Sequence, residues 1–185
     1  MRIIFSGLFL LIAFISFGQA SINPKGSVNI DSLMEANAKA AIGRPFPEFE
    51  ATNEHGRINK KAFKGKVILV NFWFEDCHPC MAEMEALNEL YRKLKDRKDF
   101  EFVSFTRDNA EAINRVKEKF GLQFKIFSIN DAECRRLNQN NGYPTSIVVD
   151  KNGKIAYLVC GGPTDKDKAR EFVMSKLLSE ITNIL

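Results

Sequence analysis

Tryptophan occurs once in this chain of 185 residues, and tyrosine three times. Charge of one sign is also lacking. Lys plus Arg number 27 against 23 Asp plus Glu, a net charge of only +4. The surplus is spread along the chain, so no basic patch argues for nucleic acid. No apolar run reaches the roughly 20 residues that span a bilayer. Four cysteines are too few for a disulfide-stapled miniprotein, though enough to raise redox or metal chemistry. Proline and glycine stay ordinary at 6 and 11, which excludes a collagen-like or low-complexity chain. What is present is 45% hydrophobic residues and 16 phenylalanines, the makeup of a globular protein with one domain and some appendage.

Part of the phenylalanine excess lies in Met1 to Ala20. Arg2 gives a positive start, Ile3 to Phe17 is apolar apart from small residues, and Gly18-Gln19-Ala20 resembles a cleavage site. This is the layout of a secretory signal peptide, so residues 1–20 are expected to direct export to the periplasm or another extracytoplasmic space. Disulfides persist there. A retained membrane anchor is the alternative, and it is disfavoured by the short run. Residues 21–42 read as a linker, with a short helix opened by Asp31 and stopped by Gly43. Residues 43–185 read as one domain.

Within it, Phe46 to Thr52 and the stretch around Ile58 suggest a hairpin bracketing Glu54-His55-Gly56. Val67 to Trp73 is a nearly continuous apolar run, as in a strand buried on both faces. His78 to about Lys95 carries apolar residues at three-to-four spacing, which predicts a helix. Strands are predicted at Phe100 to Phe105, Phe124 to Ile129, Thr145 to Asp150 and Lys154 to Cys160. Helices are predicted at Ala110 to Phe120, Ala132 to Leu137 and Lys166 to about Ile184. Lys151-Asn152-Gly153 is a hairpin turn signal. The order implies an α/β fold with a mixed central sheet flanked by helices.

Cys77-His78-Pro79-Cys80 follows the buried strand and opens a helix. Two intervening residues let the sulfurs meet on the first helical turn. The first thiol then lies near unpaired backbone N–H groups and the positive end of the helix dipole, which favours thiolate. Pro79 sacrifices no hydrogen bond in a first turn. A protonated His78 would favour the thiolate of Cys77 further. Cys80, one turn in, is expected to be the more buried, resolving sulfur. A zinc site would need four ligands, and Cys134 and Cys160 stand alone. Haem attachment would need His after the second Cys, where Met81 stands. Redox chemistry is the expectation, with the Cys77–Cys80 couple as the electron carrier and no cofactor or metal.

Asn71-Phe72-Trp73 before Cys-x-Pro-Cys resembles the thioredoxin superfamily. Gly142-Tyr143-Pro144-Thr145 is similar to that family's cis-proline loop, and Gly161-Gly162 to a further family glycine position. The stretch between Cys80 and Pro144 is longer than in plain thioredoxin. An extra αβ segment (about Asn109 to Ile129), the N-terminal hairpin and Phe63-Lys64-Gly65-Lys66 resemble the TlpA/ResA-type exported thiol–disulfide oxidoreductases. That resemblance implies a thioredoxin-like fold and a reductase of protein disulfides. It also implies a membrane-bound or exported redox partner. Cys77 and Cys80 would be catalytic, and Glu83 would accept a proton from Cys80. Trp73, Tyr143, Pro144 and Thr145 would meet substrate.

The chain departs from the family pattern in places. Asp76 stands where an aromatic residue is usual, and a carboxylate beside Cys77 opposes the thiolate. Phe74 replaces a small residue, and Asn71 a buried Asp of plain thioredoxin. Cys134 and Cys160 are expected to be buried bystanders, with a bridge between them as the alternative. Two other functions stay open, a thioredoxin-fold peroxidase and a copper-binding or delivery module. The first would want Pro, and Thr or Ser, at the positions of Val70 and Phe74. The second has only His55 and His78 as histidine candidates.

Overall fold

The computed structural model describes residues 30–53 and 56–185. The expected signal peptide, residues 21–29 of the linker, and Glu54 and His55 lie outside the described residues. The ordered elements are α1 (Ile30–Ala41), a hairpin of β1 (Glu50–Asn53) and β2 (Gly56–Asn59), β3 (Val67–Trp73), and α2 (His78–Leu94). β4 (Phe100–Thr106), α3 (Ala110–Phe120), β5 (Lys125–Ser128) and α4 (Asp131–Leu137) follow. β6 (Thr145–Val149), β7 (Ile155–Cys160), α5 (Lys166–Glu171) and α6 (Leu178–Thr182) complete the chain.

Five strands form one sheet in the order β5-β4-β3-β6-β7. β3 lies at its centre, parallel to β4 and antiparallel to β6. The predicted mixed sheet is therefore present, and the αβ segment supplies its edge strand β5. All seven residues of β3 are buried, as the apolar run requires. Alternation divides them between two cores. Val67, Leu69 and Trp73 face α2 and the C-terminal helices. Ile68, Val70 and Phe72 face the hairpin side with Phe49, Phe105 and Leu158.

The helix ends follow local chemistry. Asn109 and Asn130 accept N–H bonds from Ala112 and Glu133 and so cap α3 and α4. Gly121 closes α3 at φ 59°, a left-handed conformation that glycine adopts without penalty. The buried Asn88 of α2 donates to Gly121 O at 2.8 Å and accepts from Gln123 N–H at 3.0 Å. This pins the loop after α3 to α2.

The short helix expected within residues 21–42 is α1, and it packs onto the domain through β7, with Ala41 1% exposed. The single C-terminal helix is instead α5, a π-helical stretch over Phe172–Leu177, and α6. A wider turn leaves the apolar stripe intact, and Val173, Leu177 and Ile181 are all fully buried. Among the described residues no helix is long and apolar enough to cross a membrane.

Phe102 is fully buried and stacks on Phe124 at 4.3 Å. Phe102→Ala is expected to destabilise the fold by about 3–5 kcal/mol, the usual cost of a buried aromatic cavity. Urea unfolding followed by circular dichroism measures it.

Candidate functional site

β3 ends at Trp73 and α2 begins at His78, so four residues turn the chain at the edge of the buried core. Cys77 occupies the N-cap of α2 in an extended conformation, and its Sγ accepts the Cys80 N–H at 3.3 Å. Serine or aspartate usually fills this role with oxygen. Sulfur here takes the same backbone donor, so negative charge on it would be met by an N–H and the helix dipole. Pro79 sits in the first turn, where its missing donor costs nothing. The two sulfurs form a disulfide with Cα atoms 5.2 Å apart. Cys77 is 6% exposed and Cys80 not at all. Cys80 is the more buried of the two, as the spacing predicts.

Asp76 and His78 flank Cys77 and are exposed. Beside them lies an open cleft of about 650 Å³, with Met81 and Phe120 in its wall and Lys119 and Lys166 on its rim. The chain before Cys77 is braced from the αβ segment. Arg115 of α3 grips the Glu75 carboxylate with two bonds of 2.8 and 2.6 Å. Asp108 accepts the Glu75 backbone N–H at 2.6 Å.

Glu83 lies one turn beyond Cys80 on the same side of α2, at the i to i+3 spacing that makes helical neighbours. It is buried, and burial raises its pKa to about 8, partly opposed by the amide of Asn71. Asn71 Nδ2 donates to Glu83 Oε1 at 3.0 Å and to Ser146 Oγ at 3.1 Å. Below pH 8 this carboxyl therefore holds its proton, within the core.

The second predicted loop borders the same site. The Tyr143–Pro144 peptide bond is cis, and Pro144 O accepts the Gly161 N–H at 2.8 Å. A β-carbon on Gly162 would sit 3.6 Å from Pro144 Cγ and 3.8 Å from Glu83 Oε2, so the glycine loop closes over both. Tyr143 packs edge-on to Phe74 at 5.2 Å, and the Arg107 guanidinium lies 4.4 Å over the Phe74 ring. Arg107 also pairs with Asp131 at 3.1 Å. Phe74 O in turn accepts the Cys77 N–H. These contacts tie the cysteine turn to the proline loop.

Two expected substrate contacts are placed elsewhere. Trp73 is fully buried, with its indole N–H donating to Ser104 Oγ at 2.7 Å, so it belongs to the core. Its strand position points it at α2 rather than outward. Thr145 is likewise buried, and its hydroxyl donates to Gly142 O at 2.7 Å, shaping the loop from within. Cys134 and Cys160 are both free, so no bridge joins them. Cys134 is fully buried against the Tyr143 hydroxyl, and burial pushes its pKa up to about 11. Sequence reading missed Arg107, which carries no motif. It also gave Asn71 no part, although a polar residue inside an apolar run is itself a signal.

The fold and the Cys-x-Pro-Cys disulfide at a helix start define a thioredoxin-fold dithiol–disulfide protein. Comparison with known proteins agrees. Residues 42–158 match the model of the AhpC/TSA family, and the chain belongs to that family. The thiol-disulfide oxidoreductase ResA of Bacillus thuringiensis subsp. konkukian is 33% identical over 137 residues, which is 73% of this chain and 78% of the relative. The thioredoxin domain of a thiol-disulfide oxidoreductase from Bacteroides vulgatus superposes with a TM-score of 0.58 at 26% identity. That match covers 72% of this chain and 98% of the other. A thiol:disulfide interchange protein from a Bacteroides species gives a TM-score of 0.58 at 26% identity, over 74% and 92%. The chain is a thiol–disulfide oxidoreductase that works through its CxxC couple.

Glu83 yields a pH prediction. An ordinary carboxyl titrates near 4.5 in the unfolded chain and this one near 8 in the folded protein. Between those values the folded state holds the extra proton, so stability falls as pH rises. The contribution is complete below about 4.5, lost by about 8, and flat above. Glu83→Gln is expected to remove that slope. Urea midpoints of the two proteins compared from pH 4 to 9 measure it.

Proposed function

We propose that this chain is an exported reductant of protein disulfides that uses the Cys77–Cys80 couple as its only electron carrier. The observation that carries the reading is the pairing of opposite environments. Cys77 Sγ meets a backbone N–H at the mouth of α2, while Cys80 is sealed beside a protonatable carboxyl. Export is supported by the signal-peptide layout of residues 1–20. The resemblance to TlpA/ResA-type oxidoreductases favours reduction as the direction, while His78, by stabilising the reduced form, leans toward an oxidant.

The proposed reaction consists of two successive exchanges. Cys77, as thiolate, attacks one sulfur of the substrate disulfide. A bond forms between Cys77 and that sulfur, the substrate bond breaks, and the second substrate sulfur leaves as a thiolate that takes a proton from solvent. Cys80 passes its proton to Glu83 in the ionised form, whose share grows as pH nears 8, and attacks Cys77 Sγ. The Cys77–Cys80 bond forms, the mixed disulfide breaks, and the first substrate sulfur leaves. Two electrons have moved from the dithiol to the substrate. A membrane-bound or exported dithiol partner then restores the reduced pair by the reverse exchange. Pro144 and Tyr143 border the approach to Cys77 and would position the substrate backbone, with Asp76 and His78 tuning the outer sulfur.

The rival readings have less support. Val70 and Phe74 offer no hydroxyl to a peroxide. A copper site would have to draw its histidines from His78 and from His55, which lies outside the described residues.

Cys80→Ser is expected to accumulate mixed disulfides with protein substrates, resolved by added dithiol, while Cys77→Ser accumulates none. Non-reducing electrophoresis of an extracytoplasmic extract checks this. A reduction potential near about −270 mV agrees with a reductant, whereas one near about −120 mV marks an oxidant and overturns the direction.

A further inference from the structure

The core holds a polar chain that the disulfide chemistry does not by itself require. Asn71 interrupts the apolar run of β3 and is fully buried, on the face shared by Leu69 and Trp73. Ser146 sits opposite it on β6, in direct register, and is 3% exposed. Asn71 Nδ2 bridges Ser146 Oγ and Glu83 Oε1, while Asn71 Oδ1 has no partner. A buried amide with an orphaned carbonyl costs stability. Replacing the trio by apolar groups would remove that cost. Their arrangement has a directional result. Oε1 is engaged by Asn71, and Oε2 lies at the glycine loop, 3.8 Å from where a β-carbon on Gly162 would sit beside Pro144.

We propose that Asn71 and Ser146 are positioning residues for proton transfer: Ser146 fixes the Asn71 amide, and that amide holds Glu83 Oε1 so that Oε2 carries the proton. The inference rests on Glu83 being the proton acceptor of Cys80. No charged side chain contributes to the shift at Glu83, and Tyr143 of the proline loop faces Cys134 and Arg107 instead. Cys77 and Cys80 precede it on α2. β3, β6 and the two loops bring Asn71, Ser146, Pro144 and Gly162, none of which titrates. The α5 cations Lys166 and Arg170 are occupied on the outer face of α2, by Glu85 and Glu89. The raised pKa of Glu83 accordingly comes from burial, with Asn71 the one group opposing it.

The test uses the full chain in its disulfide form, where neither Cys77 nor Cys80 titrates. Carboxyl 13C resonances of labelled glutamate are followed against pH, and the signal lost in Glu83→Gln identifies Glu83. Asn71→Leu removes the donor to the carboxylate. Its Glu83 midpoint is expected to rise by about one pH unit or more, the worth of one hydrogen bond to a charged group. Ser146→Ala is expected to move it the same way by less, and Ser146→Thr, which keeps the hydroxyl, to return it to the wild-type value. In the reduced protein the rate of mixed-disulfide resolution should show the same displacement of its pH profile.

An unmoved Glu83 midpoint in Asn71→Leu and Ser146→Ala overturns the proposal. If Asn71→Leu does not fold, the Ser146 pair decides alone. Failure of the underlying reading looks different. There Glu83→Gln would leave the pH profile of resolution unchanged, whatever Asn71 does to the carboxyl signal.

Discussion

Burial of β3 on both faces is the constraint on which the rest of the molecule depends. A strand with no solvent-facing side can be neither an edge nor a surface ribbon, so it takes the centre of the sheet. Its direction then fixes where the chain emerges, and α2 must start at that point. The Cys77 sulfur inherits its place at the helix mouth from this geometry, together with the Cys80 N–H that it accepts. The same burial requires that any polar group on β3 find its partners inside. Asn71 does so through Glu83 and Ser146, and this brings a carboxyl into the core beside the cysteines.

The two sulfurs are chemically alike and are distinguished by surroundings. One lies at the surface end of a dipole, and the other lies in the apolar core. The carboxyl beside the inner one is neutral at moderate pH, because desolvation outweighs the single amide that favours its charge. A proton can thus be held inside the protein, close to the sulfur that has to lose one. The proposed order of reaction, outer sulfur first, rests on this asymmetry.

Much of this architecture was legible in the chain itself. Val67–Trp73 reads as a central strand because its apolar run is uninterrupted but for Asn71. α3 is marked at both ends, by the Asn109 cap and by Gly121, and its predicted bounds are those observed. Other features depend on partners remote in sequence. The family resemblance puts Trp73 among the substrate contacts, but Ser104 on the neighbouring strand draws its indole inward. Ser146 meets Asn71 only because β6 pairs with β3 in one register. The π-helical stretch at Phe172–Leu177 carries no mark of its own, since one apolar stripe serves either helical period.

Arg115 and Asp108 have a consequence beyond bracing. Both belong to the stretch that follows β4 on the way to the edge strand, yet both hold the residue two places before Cys77. The added αβ unit is therefore a splint as well as a widening of the sheet. Sequence drift in α3 could retune how the reactive turn is presented while every residue that touches substrate stays the same. In such a fold, diversification of redox behaviour can proceed from the rim of the sheet inward.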